Sequence, residues 1–433
     1  MKFIINTAKT LRNHWKKSIF FTCVGAYAVK YGYGRYEDDM LRRKYCAEAK
    51  VYGEKIAEFA GKNRKITVFL NPVASTTEGR KLFEKNAAPI LYLAGLEVNV
   101  VKTEYEGQIK EFFKVLEAKH TDGVVVAGGN GSVVEMITGM MRKEDKEFRQ
   151  KTPIGIIPTG KTNKFASFFF GSDKEQVRRM LDAAMAIVKG MTEKVDIMKI
   201  QGEDGRTTFA LCGLEMGAYR DAKEKTSKYW YMPGLKHRYT YIRSTLTKWP
   251  AYINGQLEYM EAKETDVLKK KEKKIEEPKV QKSQSWTQSL LFFLFKPRAP
   301  PARTVEEEED EEEYENEEFV KRDINNIELT ISSNFDQSNM PMQGLQLGIG
   351  PENISRSDFI TEGWNRLKVP TWKYDHDCNE SILCRKIKFT PEIKEDTESW
   401  YSIDGEHFEA MPIEITLLKN RLKIFSPVDS APS

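Results

Sequence analysis

The tightest constraint on this chain is a single stretch, Val124-Val125-Val126-Ala127-Gly128-Gly129-Asn130-Gly131-Ser132-Val133-Val134-Glu135. An apolar run of strand type meets three glycines, and Val133, Val134, Ile137 and Met141 then recur at helical spacing. Glycines let a backbone take up positive φ and come close to a bulky anion. The unpaired N–H groups at the start of the following helix point at that anion, helped by the helix dipole. The stretch reads as a phosphate cradle. A glycine cluster alone is equally a plain strand-to-helix turn, so its surroundings decide.

Those surroundings are regular. Residues 66–70 form a buried-strand run closed by Asn71-Pro72, and residues 79–94 read as a helix. Residues 96–101 alternate as a strand ending at Lys102-Thr103, and residues 107–118 carry Ile109, Phe112, Phe113 and Leu116 at helical spacing. After the glycine turn, residues 154–158 form another strand, residues 159–163 a loop and residues 176–189 a further helix. Strand and helix in alternation predict a parallel sheet with helices on both faces. Ligands of such sheets sit beyond the carboxyl ends of the strands, where Asn71, Thr103, residues 128–132 and residues 160–163 all fall.

Past Glu193 the rhythm changes. Short strand-like runs at 195–200, 207–211, 326–332, 345–349, 381–389, 400–403 and 413–425 predict an antiparallel sandwich. A charged insertion at 263–321 interrupts it and ends in a dense acidic run at 306–318, which repels itself and reads as disordered. Inside lies the apolar knot 286–295, which either folds back on the sandwich or dips into a lipid interface.

The N-terminus is basic and free of acid before Glu37, with Lys2, Lys9, Arg12, Lys16, Lys17, Lys30 and Arg35 around the apolar run 19–29. That run is shorter than the roughly 20 residues of a membrane span. Its amphipathic, acid-free character points to mitochondrial targeting or a membrane-surface anchor, with a disordered basic arm as the alternative. The net charge of only +4 gives no sign of a nucleic-acid partner. Five cysteines, at 23, 46, 212, 378 and 384, show no zinc-like spacing and read as mostly reduced, with a Cys378–Cys384 disulfide as a minor option.

Asn71-Pro72 after one strand, Gly128-Gly129-Asn130-Gly131 after a later one, and Asp404-Gly405-Glu406 resemble the catalytic domain of diacylglycerol and sphingosine kinases. More closely, residues 10–17, 82–89, 101–107, 227–231 and 409–412 resemble, in order, runs of mitochondrial acylglycerol kinases. The resemblance implies an α/β fold: an N-terminal doubly wound parallel-sheet nucleotide-binding domain plus a C-terminal antiparallel β-sandwich domain, preceded by a membrane-associated N-terminal helix. The corresponding boundaries are 1–62 for the membrane-associated segment, 63–193 for the catalytic α/β domain, 194–425 for the lipid-substrate sandwich and 426–433 for a tail.

The resemblance further implies a kinase using ATP and Mg²⁺ on monoacylglycerol and diacylglycerol, at the mitochondrial inner membrane and facing the intermembrane space. It also implies a tie to the carrier protein translocase of that membrane. The alternative function is a weakly active or silent scaffold subunit of that translocase. A soluble NAD kinase is a weaker rival, disfavoured by the N-terminus. By the family pattern, Asn71, Pro72, Thr103, Gly128, Gly129, Gly131, Ser132, Glu135, Gly160, Lys161, Thr162 and Lys236 serve the nucleotide. Asp196, Asp221 and Lys223 fall on the lipid side, Asn130, Asp404 and Glu406 at the catalytic positions, and Asp404 and Glu406 at the metal. Two carboxylates flanking a glycine suit Mg²⁺, an oxygen-seeking ion; alone, Asp-Gly-Glu is as well a hairpin turn.

The chain departs from the family in three places. Asn130 stands where the family has aspartate, and asparagine accepts no proton; loss of a general base lowers rate roughly 10²–10⁴-fold. Lys223 lies near the position where sphingosine kinases have an aspartate that grips the lipid's polar head, which argues against an amino-alcohol substrate and is compatible with a neutral glycerolipid. Lys161 replaces a usual threonine and either adds a phosphate contact or is a solvated loop lysine.

Overall fold

The structure, a computed structural model, describes residues 15–60, 63–72, 78–160, 162–171, 174–232, 234–247, 249, 251–262, 319–333, 344–367, 380–392 and 399–427. Backbone contacts divide the chain into two units, one of Met1–Lys194 with Leu422–Ser433, the other of Val195–Arg421.

The first unit opens with one helix, α1 (Trp15–Ala60), of 46 residues. At 1.5 Å per residue it is about 69 Å long. It contains no proline to break it, and i,i+4 pairs such as Arg42–Asp38 and Lys50–Glu54 line its surface. Its later half is seated on the body of the unit. Arg42 Nε donates to Asn86 Oδ1 (2.7 Å), Tyr45 to Asp182, and Glu48 pairs with Lys189 at 3.3 Å. Gly53 lies so close to Ala94 that a Cβ there would sit 2.8 Å from its backbone. The earlier half exposes Trp15, Ile19, Phe20, Phe21, Val24 and Tyr27. Among the described residues no helix is long and apolar enough to cross a membrane.

The sheet of this unit holds β1 (Lys65–Leu70), β2 (Glu97–Lys102), β3 (Gly123–Gly128) and β4 (Ile154–Pro158) in the order β2-β1-β3-β4, all parallel. Ile424, near the end of the chain, pairs in parallel with Ile154, so the sheet gains a further member from the far terminus. The inner strands β3 and β4 are buried along their whole length, as expected for a parallel sheet covered on both faces. The helix expected over 79–94 is broken into α2 (Gly79–Leu82), a π segment (Phe83–Ala87) and α3 (Ala88–Leu93). Pro89 in the first turn of α3 cannot donate to the preceding turn, and a ladder that loses a donor widens locally. The helices α4 (Gln108–Val115), α5 (Asn130–Arg142), α6 (Lys146–Lys151), α7 (Lys164–Phe170) and α8 (Gln176–Lys189) complete the unit.

The second unit is built from β5 (Thr192–Gly202), β6 (Thr207–Ala210), β7 (Gly213–Gly217), β8 (Ile253–Glu261), β9 (Val320–Asn326), β10 (Glu328–Ser333), β11 (Leu345–Ile349), β12 (Glu380–Pro391), β13 (Trp400–Ile403), β14 (Glu406–Glu409) and β15 (Ile413–Phe425). One run of pairings is β14-β13-β7-β10-β11-β12; another is β9-β8-β12-β15-β5-β6. The long strand β12 belongs to both, pairing β11 through residues 380–384 and β15 through residues 386–389, with a register shift between Cys384 and Lys386. Leu329, Ile331 and Leu347 of the first run share one core with Leu257, Ile387 and Ile415 of the second, which makes the unit a sandwich hinged on β12.

Three helices, α9 (Ala218–Glu224), α10 (Lys236–Thr247) and α11 (Arg356–Asn365), add a smaller aromatic core around Tyr219, Tyr241 and Phe359. Beneath it Arg366 makes a bidentate pair with Glu328 (2.6 and 2.8 Å) and binds Glu362 (2.9 Å), its guanidinium stacked 3.8 Å from the Tyr219 ring. The strand expected over 326–332 is split at Ile327, whose carbonyl accepts from Ala218 N. The last residues of the expected insertion are strand, since β9 starts at Val320. The rest of it, with the 286–295 knot and the acidic run, lies outside the described residues, as does Cys378. Cys384 is a buried thiol whose pKa burial pushes up to about 12.

Candidate functional site

The parallel sheet of the first unit delivers its loops to one edge. Past the end of β1, Asn71 N donates to Ala127 O (3.0 Å), and Thr103 N donates to Leu70 O (3.0 Å). The ladder thus continues one step beyond the strands and sets Asn71, Gly128 and Thr103 side by side. Asn71 Nδ2 reaches Ser132 Oγ on the first turn of α5 (3.0 Å). Gly128 lies under that turn: a Cβ there would stand 2.6 Å from Ser132 Cβ.

The loop after β4 closes on the same place. Gly160 N donates to Gly128 O (3.1 Å), and a Cβ on Gly160 would fall 2.5 Å from Gly129 Cα. Two glycine backbones touch there, and Gly160 has no room for a side chain. The N-cap of α5 is Gly129 in extended conformation, and no side chain caps the helix. The opening N–H groups of a 13-residue helix therefore face a rim made of glycine. The Thr159 hydroxyl, fully buried beside this rim, has no hydrogen-bond partner. An uncapped helix start behind a wall without Cβ atoms is an arrangement that suits a polyphosphate, so these residues fit the phosphates of ATP.

Asn130 is buried and braces the two loops. Its Oδ1 accepts from Lys164 N (2.9 Å) and its Nδ2 donates to Thr162 Oγ1 (3.4 Å). Asn163 caps α7 through Ala166 N (2.7 Å) and also contacts Gly128 O (3.4 Å), while Gln176 Nε2 holds Gly160 O (3.1 Å). Glu135 accepts from Gly107 N (2.8 Å), whose φ of +89° starts α4. Burial raises the Glu135 carboxyl above its ordinary value, the Gly107 amide opposing. Pro72 follows Asn71 at the rim, and Gly131 lies in the first turn of α5. Lys161 lies outside the described residues.

In the second unit Asp404 and Gly405 form the turn between β13 and β14, with φ of +51° and +92°. Positive φ at both central residues gives a two-residue hairpin. The buried Asp404 carboxylate accepts from Leu211 N (2.7 Å), Cys212 N (2.8 Å) and Gly213 N (2.9 Å), and Asp404 N donates to Gly213 O (2.9 Å). Asp404 is thus committed to three main-chain amides, and half-buried Glu406 on β14 is the second carboxylate of the pair. Among the described residues no group of three or more acids, histidines or cysteines could hold a metal. Mg²⁺ bound by one or two carboxylates plus phosphate oxygens needs no such cage, and the hairpin's donor set is compatible with that mode.

Beside the hairpin runs α9. Arg220 Nη1 binds Asp221 (2.8 Å), its Nη2 meets His407 Nδ1 (2.5 Å), and His407 Nε2 lies 2.9 Å from Glu224. Asp221 is thus linked through Arg220 and His407 to the strand that carries Glu406, while Lys223 lies on α9 and Lys236 opens α10. Asp196 has different neighbours: it is buried and accepts from Asn420 N (2.7 Å), where φ is +53°. Sequence reasoning missed Arg220, Glu224, His407 and Gln176. Only His407, adjacent to Glu406, carried any local signal.

Comparison with known proteins adds the following. Residues 65–200 match the family model for the diacylglycerol kinase catalytic domain, and residues 211–431 that for the acylglycerol kinase C-terminal region. Residues 12–117 match a model for Tim54, an inner membrane protein import complex subunit. A mitochondrial acylglycerol kinase of Mus musculus is 36% identical over 422 residues, 96% of this chain and 95% of the relative. The Homo sapiens protein of the same name is 36% identical over 420 residues, with the same coverage. A solved structure described as a candidate diacylglycerol kinase from Bacillus anthracis shares the fold, with a TM-score of 0.50 at 14% identity over 84% of this chain and 98% of that one.

Proposed function

The chain belongs to the acylglycerol kinase family and is a lipid kinase; from that premise we propose that it transfers the terminal phosphoryl group of ATP to a hydroxyl of monoacylglycerol or diacylglycerol, giving lysophosphatidic or phosphatidic acid. The single observation that carries this reading is the uncapped start of α5 behind the touching glycines 129 and 160. Phosphoryl transfer asks a protein for charge neutralisation on the phosphates and a positioned hydroxyl. The amides of Asn130, Gly131 and Ser132 supply the first, with Asn71, Thr103 and Ser132 shaping the rim. Lys161, Thr162 and Lys236 are assigned to the nucleotide on the family pattern. Glu135 holds the Gly107 loop in place.

Asn130 is not the base: it has no titratable oxygen, and its amide braces two loops. The base and metal roles fall to Glu406, with Asp404 fixing the hairpin. Asp221 and Lys223 are assigned to the lipid head group and Asp196 to the lipid side, on the same pattern. Mg²⁺, when bound, would neutralise developing charge on the phosphates.

The test is transfer of label from ATP with Mg²⁺ to acylglycerol in mixed micelles. The natural chain is expected to show low activity, Asn130→Asp a gain, and Glu406→Ala near loss. Silence in all three, together with failure to bind nucleotide, would remove the kinase reading.

A second reading draws on the Tim54 match and on Asn130. In it the protein sits at the mitochondrial inner membrane, facing the intermembrane space, and supports a carrier translocase, with the basic, aromatic first half of α1 as its membrane contact. Deleting residues 1–35 should then release the protein from mitochondrial membranes; full retention would sink that placement.

A further inference from the structure

Helix α10 is apolar on two opposite sides. Thr240, Tyr241 and Thr245 are buried, and Tyr241 packs against Tyr219 and Phe359. That side accounts for the helix's place in the fold. Leu235, Tyr239, Ile242 and Leu246 follow at helical spacing on the other side, Leu235 accepting the first bond of the helix from Tyr239 N. Leu235 and Leu246 are 58% and 65% exposed, and Ile242 is exposed beside them.

The stripe does not end with the helix. Tyr239 meets Tyr229 edge-on at 5.0 Å, Tyr229 meets Tyr231, and Tyr231 meets Trp230, itself 79% exposed. A lone exposed leucine is ordinary, whereas a continuous aromatic and aliphatic band on the outside of a packed helix is not.

Along the chain the band is flanked by one sign of charge. From Lys225 to Leu257 the chain has no aspartate or glutamate, and it carries Lys225, Lys228, Lys236, Arg238, Arg243 and Lys248. The histidine in this run, His237, titrates below its usual value, chiefly through burial and further through Lys236 and Lys223. Trp and Tyr with apolar bodies and polar tips, leucines between them and bases on the flanks make up a surface that settles into an anionic lipid interface.

We infer that the outer face of α10 with the preceding Trp230-Tyr231 segment docks the second unit on an anionic bilayer surface, as a membrane contact additional to α1. The inference deepens the lipid-kinase reading, because it brings the enzyme to the phase that holds a water-insoluble substrate, yet it does not depend on which residues perform the chemistry.

The experiment uses the full chain with vesicles of phosphatidylcholine alone or mixed with phosphatidylglycerol. Hydrogen exchange at residues 228–247 should slow with the mixed vesicles and not with phosphatidylcholine alone. The variant Trp230→Ser/Leu235→Gln/Leu246→Gln, and separately Lys228→Glu/Arg243→Glu, should lose that protection, and the charge pair should weaken vesicle binding at least about tenfold, since each base near an anionic surface matters. Transfer to a short-chain acylglycerol dispersed as monomers should be unchanged in both variants, while transfer to vesicle-borne substrate falls. Unaltered thermal unfolding separates this result from misfolding. Loss of transfer to the monomeric substrate as well would move these residues into the active site and overturn the inference. So would equal protection on both vesicle types, or native protein that sediments as a dimer and becomes monomeric in the variants with vesicle binding intact.

Discussion

The rim of the first unit and the hairpin of the second solve their local problems with opposite materials. The rim is backbone: Gly128 and Gly160 are so closely approached that side chains are excluded there, Gly129 lies against Gly160, and the helix start behind them is left uncapped. The hairpin is a charged side chain: one carboxylate, Asp404, gathers one buried and two half-buried amides from a segment 191–193 residues away. A backbone rim can leave its donors turned outward for a ligand. A carboxylate that satisfies three donors turns them inward and fixes a position. Binding capacity sits in the first arrangement and rigidity in the second.

If that contrast holds, the largest stability effect belongs to Asp404→Ala. A buried amide left without an acceptor costs about 1–3 kcal/mol, and here one buried and two half-buried amides lose theirs. The expected loss in urea denaturation is about 3 kcal/mol. Asp404→Asn keeps an acceptor oxygen and tolerates the left-handed backbone, so it should lose less. A destabilisation below about 1 kcal/mol for the alanine variant would show that the hairpin is held by something else.

Next in size is Gly160→Ala. The added methyl would lie 2.5 Å from Gly129 Cα and 2.9 Å from Gly129 N, atoms that cannot swing aside as a side chain can. Overpacking of this kind costs about 1–3 kcal/mol. Because the two loops must part, nucleotide affinity by calorimetry should fall at least about tenfold, equivalent to about 1.4 kcal/mol. Here binding should suffer out of proportion to stability, the reverse of Asp404.

Smaller again is Asn71→Ala, which removes the bond from Nδ2 to Ser132 Oγ. One hydrogen bond of this type contributes about 1 kcal/mol. Nucleotide affinity should drop by less than in Gly160→Ala; a larger drop would mean that side chains, and not backbone, make the rim.

The contrast also explains what the sequence made legible. The strand at 154–158 and the helix at 176–189 appear with the expected bounds, because apolar period and glycine or proline punctuation are local signals. The gathering of Asn71, Thr103, Gly128 and Gly160 follows from strand order alone, since every parallel strand delivers its loop to the same edge. The π segment at Phe83–Ala87 and the seven-residue helix after Asn163 escaped, one a local break in a good helical pattern and the other too short to show a period. The pairing of Arg220 with His407, 187 residues apart, and the Arg366–Glu328 pair have no local signature at all. They exist only once the sandwich has folded.

The smallest expected effect concerns Asp196, and its sign separates the two materials once more. Burial lifts its carboxyl above the ordinary 3.8, with the Asn420 amide opposing. The folded chain therefore holds this proton to higher pH than the unfolded chain does. Folding takes up a proton between the two values, so stability falls as pH rises through that window and the ionised group stays costly above it. Asp196→Asn keeps an oxygen for Asn420 N and has no charge to desolvate. At pH 7 its Tm should equal or exceed that of the natural chain, by no more than about 2–4 °C, and the difference should shrink toward zero as pH approaches the unfolded value. A carboxylate whose charge gains more from its hydrogen bonds than it loses by burial would behave the opposite way. A lower Tm for Asp196→Asn at neutral pH would place Asp196 in that class and leave burial as the weaker influence on it.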